Sequence, residues 1–109
     1  MKVRLSGSAR AYLRAEAAYL RDFSPRAAAG FLARIREVQR NLARFPELGR
    51  GIERLPVQDS RRLVAGEYIV DYDLLDGSIV IMSIRHSKQA EAVPEIDEDV
   101  DYEENPETQ

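Results

Sequence analysis

Residues 67–86 read EYIVDYDLLDGSIVIMSIRH, and this stretch decides the fold. From Glu67 to Leu74, apolar and polar side chains alternate, as they do in a strand with one buried face. Asp76-Gly77 is typical of a tight hairpin turn, and a β-branched run from Ile79 to Ile84 follows it. The stretch therefore predicts two antiparallel strands joined by a short turn.

Two further strands are predicted upstream of this hairpin. Ser60 to Val64 has the pattern of a strand, and Lys2 to Leu5 alternates polar and apolar side chains at the start of the chain. Between Pro46 and Pro56, prolines and glycines favour a loop without regular structure. A small sheet with a short first strand is therefore expected.

The first of two predicted helices covers residues 8–22, with Ser6 or Ser8 as its cap. Leu13, Ala17 and Leu20 form one apolar stripe along it. We expect this stripe to pack against the sheet.

The second predicted helix begins at Ser24-Pro25, a capping residue followed by proline, and ends before Pro46. Its apolar side chains recur at alternating spacings of three and four residues, which indicates one packed face. These residues are Ala28, Phe31, Ile35, Val38, Leu42 and Phe45. Because the connection between the two helices is very short, we expect an antiparallel helical hairpin.

The predicted order of elements is β-α-α-β-β-β. It describes a helical hairpin packed on one face of a small, mainly antiparallel sheet, which is an α+β domain. We assign this domain to residues 1–90.

Charge divides the chain into a basic body and an acidic tail. Residues 1–88 hold 16 basic and ten acidic side chains, whereas residues 89–109 hold nine acidic and no basic ones. We expect residues 91–109 to be disordered alone, because they contain too few apolar side chains to offset the entropy of ordering. The tail either solubilises the protein or folds back on the arginine-rich body and weakens its activity.

The absence of cysteine excludes disulfides, thiolate metal sites and a cysteine nucleophile. No apolar run is long enough for a signal peptide or a membrane span. We expect a cytoplasmic protein with no metal and no cofactor.

An ordered set of short motifs resembles the RelE/ParE superfamily of toxins from bacterial type II toxin–antitoxin systems, and the ParE branch in particular. The motifs are Ala9 and Leu13, Pro25-Arg26-Ala27-Ala28 with Phe31, Leu42 with Pro46 and Gly49-Arg50, Arg61-Arg62-Leu63, Tyr68-Ile69-Val70-Asp71-Tyr72, and Ile84-Arg85-His86. They span nearly all of residues 1–88. The segment after His86 departs from the family, which normally ends soon after this histidine.

The ParE resemblance implies a toxin that poisons DNA gyrase by binding, without catalysis. It also implies a cognate ParD-like antitoxin with a ribbon-helix-helix domain, a hetero-oligomer with that antitoxin, and DNA contact only through it. No membrane association is implied. A degraded, non-toxic relative that only binds the antitoxin is a third possibility, because one scaffold hosts several functions.

The RelE branch implies a different activity, ribosome-dependent cleavage of messenger RNA. Such a nuclease needs cations and a general base around one phosphate. The candidates are Arg61, Arg62, Arg85 and His86, which lie on neighbouring predicted strands. Two features oppose this activity: residues 49–60 contain no lysine, and no tyrosine follows His86. A histidine at a strand end can equally be a structural residue.

Alternation sends Arg61 and Arg62 to opposite faces of their strand, so one of them is expected at the surface or paired with an acid such as Asp71. Tyr12, Tyr19 and Phe23 form an aromatic stripe on the first helix. This stripe either packs against the sheet or forms a groove for an antitoxin helix. We predict that Tyr12, Tyr19, Phe23, Arg61 and Arg85 contact a partner.

Overall fold

The computed structural model describes residues 1–53 and 59–88, which form two helices and five strands. In chain order these are β1 (Lys2–Leu5), α1 (Gly7–Phe23), α2 (Pro25–Arg44), β2 (Arg50–Ile52), β3 (Asp59–Ala65), β4 (Tyr68–Leu75) and β5 (Ser78–His86). Both helices pack on one face of the sheet, which confirms the predicted α+β class. The predicted acidic tail, residues 91–109, lies outside the described residues.

The strands form one mixed sheet in the order β1-β5-β4-β3-β2. β1 runs parallel to β5, and the other neighbours are antiparallel, so the sheet is mainly antiparallel as predicted. Asp76 and Gly77 connect β4 to β5 with φ angles of 45° and 79°. Positive φ at both residues suits the twist of a two-residue hairpin, which confirms the predicted turn.

The prediction of an irregular segment between Pro46 and Pro56 is wrong at β2. This strand pairs antiparallel with β3, with Arg50 opposite Arg62 and Ile52 opposite Ser60. Three residues are too few to show alternation, and their backbone is ordered by pairing with the next strand, β3. The sequence pattern therefore contains no sign of this strand.

Two serines set the helix boundaries. The Ser6 hydroxyl accepts a hydrogen bond from the Ala9 N–H at 3.0 Å and donates to the Met82 carbonyl at 2.9 Å, which ties the start of α1 to β5. Ser24 follows α1 and also caps α2, where its hydroxyl accepts from the Ala27 N–H at 3.2 Å. A single residue, Ser24, thus separates the two helices, which agrees with the predicted very short connection.

The core lies between the helices and the sheet. The apolar residues of α2 that the sequence predicts to share one packed face are buried in this core, with the exception of Phe45. Phe45 follows the last helical turn and is 55% exposed. The other buried side chains of the core come from α1 and the two central strands and include Ala17, Val70, Tyr72, Ile79 and Ile81. The alternating positions Tyr68, Val70 and Tyr72 of β4 are therefore buried on the side of the helices.

Candidate partner-binding groove

A cleft of about 500 Å³ opens where α1 crosses the ends of β4 and β5. We term it the Tyr68 groove. Its walls are Tyr12, Glu16, Tyr19, Leu20, Glu67, Tyr68 and His86. Elements distant in sequence thus meet around one central tyrosine.

Burial and the Glu16 carboxylate raise the pKa of two tyrosines in the groove, Tyr12 and Tyr68. The Tyr68 hydroxyl donates to Glu16 Oε2 at 2.7 Å. Burial, together with this carboxylate, raises the pKa of Tyr68 far above its ordinary value. Burial and the charge of Glu16 also raise the pKa of Tyr12. Both phenols therefore stay protonated near neutral pH and offer hydrogen bonds rather than a base.

His86 is held at the end of β5 by both of its ring nitrogens. The Lys88 N–H lies 3.1 Å from Nδ1, and Nε2 lies 3.2 Å from Glu67 Oε1. Because a backbone N–H can only donate, Nδ1 accepts, and Nε2 carries the proton that is donated to Glu67. The ring also meets Tyr68 edge to face at 5.2 Å. This arrangement favours a structural histidine over a general base.

The aromatic stripe of α1 forms the rim of the groove. Tyr19 is 58% exposed and Phe23 is 72% exposed, and their rings meet at 4.9 Å. The interpretation that the stripe packs against the sheet is therefore wrong for these two residues. The other stripe, Leu13, Ala17 and Leu20, faces the sheet instead. Tyr12 is half-buried and lines the cleft.

The four residues predicted for RNA cleavage are divided between the two faces of the sheet. Arg61 pairs with Tyr72 and His86 with Tyr68, on the side of the helices. Arg62 pairs with Asp71 and Arg85 with Ile69, on the opposite side. β3 and β5 are also separated by β4, so the prediction that the arginines lie on neighbouring strands is wrong.

The two adjacent arginines of β3 have different structural contacts. Arg61 donates to the Gly49 carbonyl at 3.0 Å and to Asp59 at 3.2 Å. Arg62 donates to both carboxylate oxygens of Asp71, at 2.7 and 3.0 Å, so the structure shows pairing with an acid, one of the two alternatives that the sequence left open. Arg61 thus stabilises the loop before β2 and lies away from the Tyr68 groove.

Tyr72 holds the loop between α2 and β2 in place. Its buried hydroxyl donates to the Pro46 carbonyl and accepts from the Gly49 N–H, both at 2.8 Å. A Cβ on Gly49 would lie 2.8 Å from the Arg62 carbonyl oxygen. The proline and glycine of the sequence motif therefore have a structural role that the sequence analysis did not identify.

A second cleft, also about 500 Å³, lies beside this loop. Phe45 and Leu48 border it, with 55% and 47% of their surfaces exposed. The protein therefore presents exposed apolar side chains at both ends of α2.

The sequence analysis did not identify Glu16, Glu67 and Tyr68 as groove residues. Glu16 follows Tyr12 by one helical turn, and that spacing is the one available signal. In the parts of the chain that the structure describes, no acidic or histidine cluster could hold a metal ion. Neither of the described helices is long and apolar enough to cross a membrane.

Comparisons with known proteins agree with this fold. The family model for the ParE toxin of the type II toxin–antitoxin system parDE matches residues 3–91. A solved structure described as the chromosomal ParDE system of P. aeruginosa has a TM-score of 0.64 at 21% identity. The match covers 81% of this chain and 97% of that one, and at this identity it shows the fold alone. No curated protein matches the chain in sequence.

Proposed function

The chain belongs to the ParE toxin family of type II toxin–antitoxin systems, and from this premise we propose that it inhibits DNA gyrase and is neutralised by a ParD-like antitoxin. The observation that carries the proposal is the family match, which extends over residues 3–91. The toxin domain would comprise residues 1–90 of a cytoplasmic protein without a cofactor. It would reach DNA only through the ribbon-helix-helix domain of the antitoxin.

We propose that the toxin acts by binding and not by catalysis. Cleavage of RNA requires a base and cations that converge on one phosphate. The separation of Arg62 and Arg85 from His86 by the thickness of the sheet supports binding. So does the engagement of both His86 nitrogens with neighbouring groups.

The Tyr68 groove is the proposed docking site for an amphipathic helix of the antitoxin. Tyr19 and Phe23 offer exposed rings beside Leu20, which suits the apolar face of such a helix. The Glu67 side chain is 77% exposed, and its carboxylate suits a basic residue that borders the apolar face of the antitoxin helix. Of the residues predicted to contact a partner, Tyr12, Tyr19 and Phe23 lie here, whereas Arg61 and Arg85 lie elsewhere.

Parallel assays on the purified protein test the target. Gyrase supercoiling and DNA cleavage are measured beside cleavage of messenger RNA on programmed ribosomes. We expect inhibited supercoiling, accumulated cleaved DNA and intact RNA. A His86→Ala variant should weaken gyrase inhibition by degrees, since a binding surface loses affinity gradually.

RNA cleavage that disappears in His86→Ala, with gyrase unaffected, would overturn the proposal and establish an endoribonuclease. If neither assay responds while the antitoxin still binds, the chain is an antitoxin-binding module without toxicity. Either result contradicts the gyrase assignment.

A further inference from the structure

Neither of the two described helices covers the opposite face of the sheet, although Ser60, Asp71 and Asp73 lie buried on it. Core side chains point towards the helices, so the alternate positions of each strand point the other way. We term this the open sheet face. The members that matter here are Lys2, Arg4, Arg50, Arg62, Val64 and Arg85.

Positive charge dominates this face. Lys2 and Arg4 lie exposed on β1 at one edge of the sheet, and Arg50 lies exposed on β2 at the other. The acids among them, Asp71 and Asp73, already accept hydrogen bonds from Arg62 and Ser60. The exposed cations Lys2, Arg4 and Arg50 are therefore the ones positioned to attract a further anion.

The face also carries an exposed apolar side chain, since Val64 lies 64% exposed near the end of β3, past the residues that pair with β2. The C-terminal segment, residues 91–109, combines the complementary features. It contains nine acids and no base, together with Val93, Ile96, Val100 and Tyr102. The acidic residues of the segment thus complement the cations of the open sheet face, and its apolar residues complement Val64.

The segment is long enough to reach this face from the last described residue. The described chain continues to Lys88, three residues after Arg85 on the inner strand β5. The 21 residues that follow can span roughly 70 Å when extended, whereas the five strands measure about 20 Å across. Every strand therefore lies within reach.

We propose that residues 91–109 bind the open sheet face of their own chain as an intramolecular polyanion. The covalent connection supplies a high effective concentration, and several weak ion pairs act together. Bound in this way, the segment shields the basic face from nucleic acid and from acidic protein surfaces. The proposal does not depend on gyrase being the target.

A spin label on the tail tests this contact directly. The chain has no cysteine, so Thr108→Cys provides a single attachment site for a nitroxide in the full chain. In about 50 mM salt, we expect broadened backbone amide NMR signals at Arg50 and Val64, which are far from the label in sequence. In about 500 mM salt, the signals should recover, because screening weakens the ion pairs.

Two matched charge reversals locate the contact. Arg4→Glu with Arg50→Glu alters the open sheet face, whereas Arg36→Glu with Arg40→Glu makes the same charge change on exposed positions of α2. The first pair should abolish the broadening, and the second should preserve it. A dispersed amide spectrum in each variant establishes that it is folded.

Three outcomes would show that the segment does not bind this face. They are no broadening at low salt, broadening confined to α2, and broadening that the first charge reversal leaves unchanged. Mixing labelled chains with unlabelled isotope-enriched chains separates contacts within a chain from contacts between copies. Broadening that appears fully in this mixture would assign the segment to a neighbouring copy instead.

Discussion

Tyr68 and Tyr72 lie four residues apart on the same face of β4, and both are buried, yet their surroundings differ. The Tyr72 hydroxyl bonds two backbone groups of one loop, at Pro46 and Gly49. The Tyr68 hydroxyl bonds a side chain, Glu16, at the wall of an open cleft. The same residue type therefore closes the structure at one end and lines a surface at the other.

The difference shows how one strand serves two purposes. A phenol that satisfies buried backbone groups cannot turn to a ligand without leaving those groups unsatisfied. A phenol bonded to a carboxylate beside solvent can exchange that bond at lower cost. We therefore expect the larger contribution to stability near Tyr72, whereas the proposed docking site lies near Tyr68.

The largest expected effect on stability is at the loop that Tyr72 holds. Gly49→Ala places a Cβ within 3 Å of the Arg62 carbonyl oxygen and the Tyr72 ring, and the backbone oxygen cannot move aside easily. We expect a loss of about 3 kcal/mol in the free energy of unfolding, measured by urea denaturation.

Gly51→Ala is the matched control, since a Cβ there meets nothing within 4 Å. Equal stabilities of the two variants would show that the loop is not tightly packed against Tyr72.

The next largest effect is the difference in stability between variants that lack the Tyr72 or the Tyr68 hydroxyl. Tyr72→Phe leaves the Gly49 N–H and the Pro46 carbonyl without their partner, which costs about 2 kcal/mol. Tyr68→Phe should cost about 1 kcal/mol or less, because Glu16 can turn towards solvent. Thermal unfolding of both variants measures the difference, and the reverse order would contradict the comparison.

The smallest expected effect on stability comes from tyrosine ionisation and appears only at alkaline pH. Burial raises the pKa of both tyrosines, so above about pH 10 the unfolded chain loses protons that the folded protein retains. This contribution to stability is complete below pH 10 and declines as the pH rises. Glu16 adds to burial at Tyr68, whereas the Gly49 N–H and Arg61 oppose it at Tyr72.

Tyr68→Phe should therefore remove more of the alkaline decline than Tyr72→Phe does. Urea titrations between about pH 9 and 11 would test this order. A decline that neither variant reduces would exclude these tyrosines as its source.

The sequence predicts most of the fold because its signals are local. Ser24-Pro25 starts α2, Asp76-Gly77 turns the final hairpin, and the seam from Ala28 to Leu42 is periodic. The strand β2 was missed because it depends on pairing with β3. The exposure of Phe45 was missed because it lies just past the last helical turn.

The candidate site is less predictable from sequence. Alternation correctly separates Arg61 from Arg62 and allows one of them to pair with Asp71, which the structure shows for Arg62. It cannot show that His86 meets Glu67, or that Tyr68 meets Glu16 across 52 positions of the chain. These contacts depend on how α1 crosses the sheet, which no local pattern specifies.

The affinity of the cognate antitoxin for two variants tests the central claim most directly. Tyr19→Ala with Phe23→Ala removes the exposed rings of the Tyr68 groove, and Phe45→Ala removes the exposed ring at the opposite end. By titration calorimetry, we expect at least about a tenfold higher Kd for the double variant and an unchanged Kd for Phe45→Ala. An unchanged Kd for the double variant, together with a higher Kd for Phe45→Ala, would place the partner at the Tyr72 end and contradict the account.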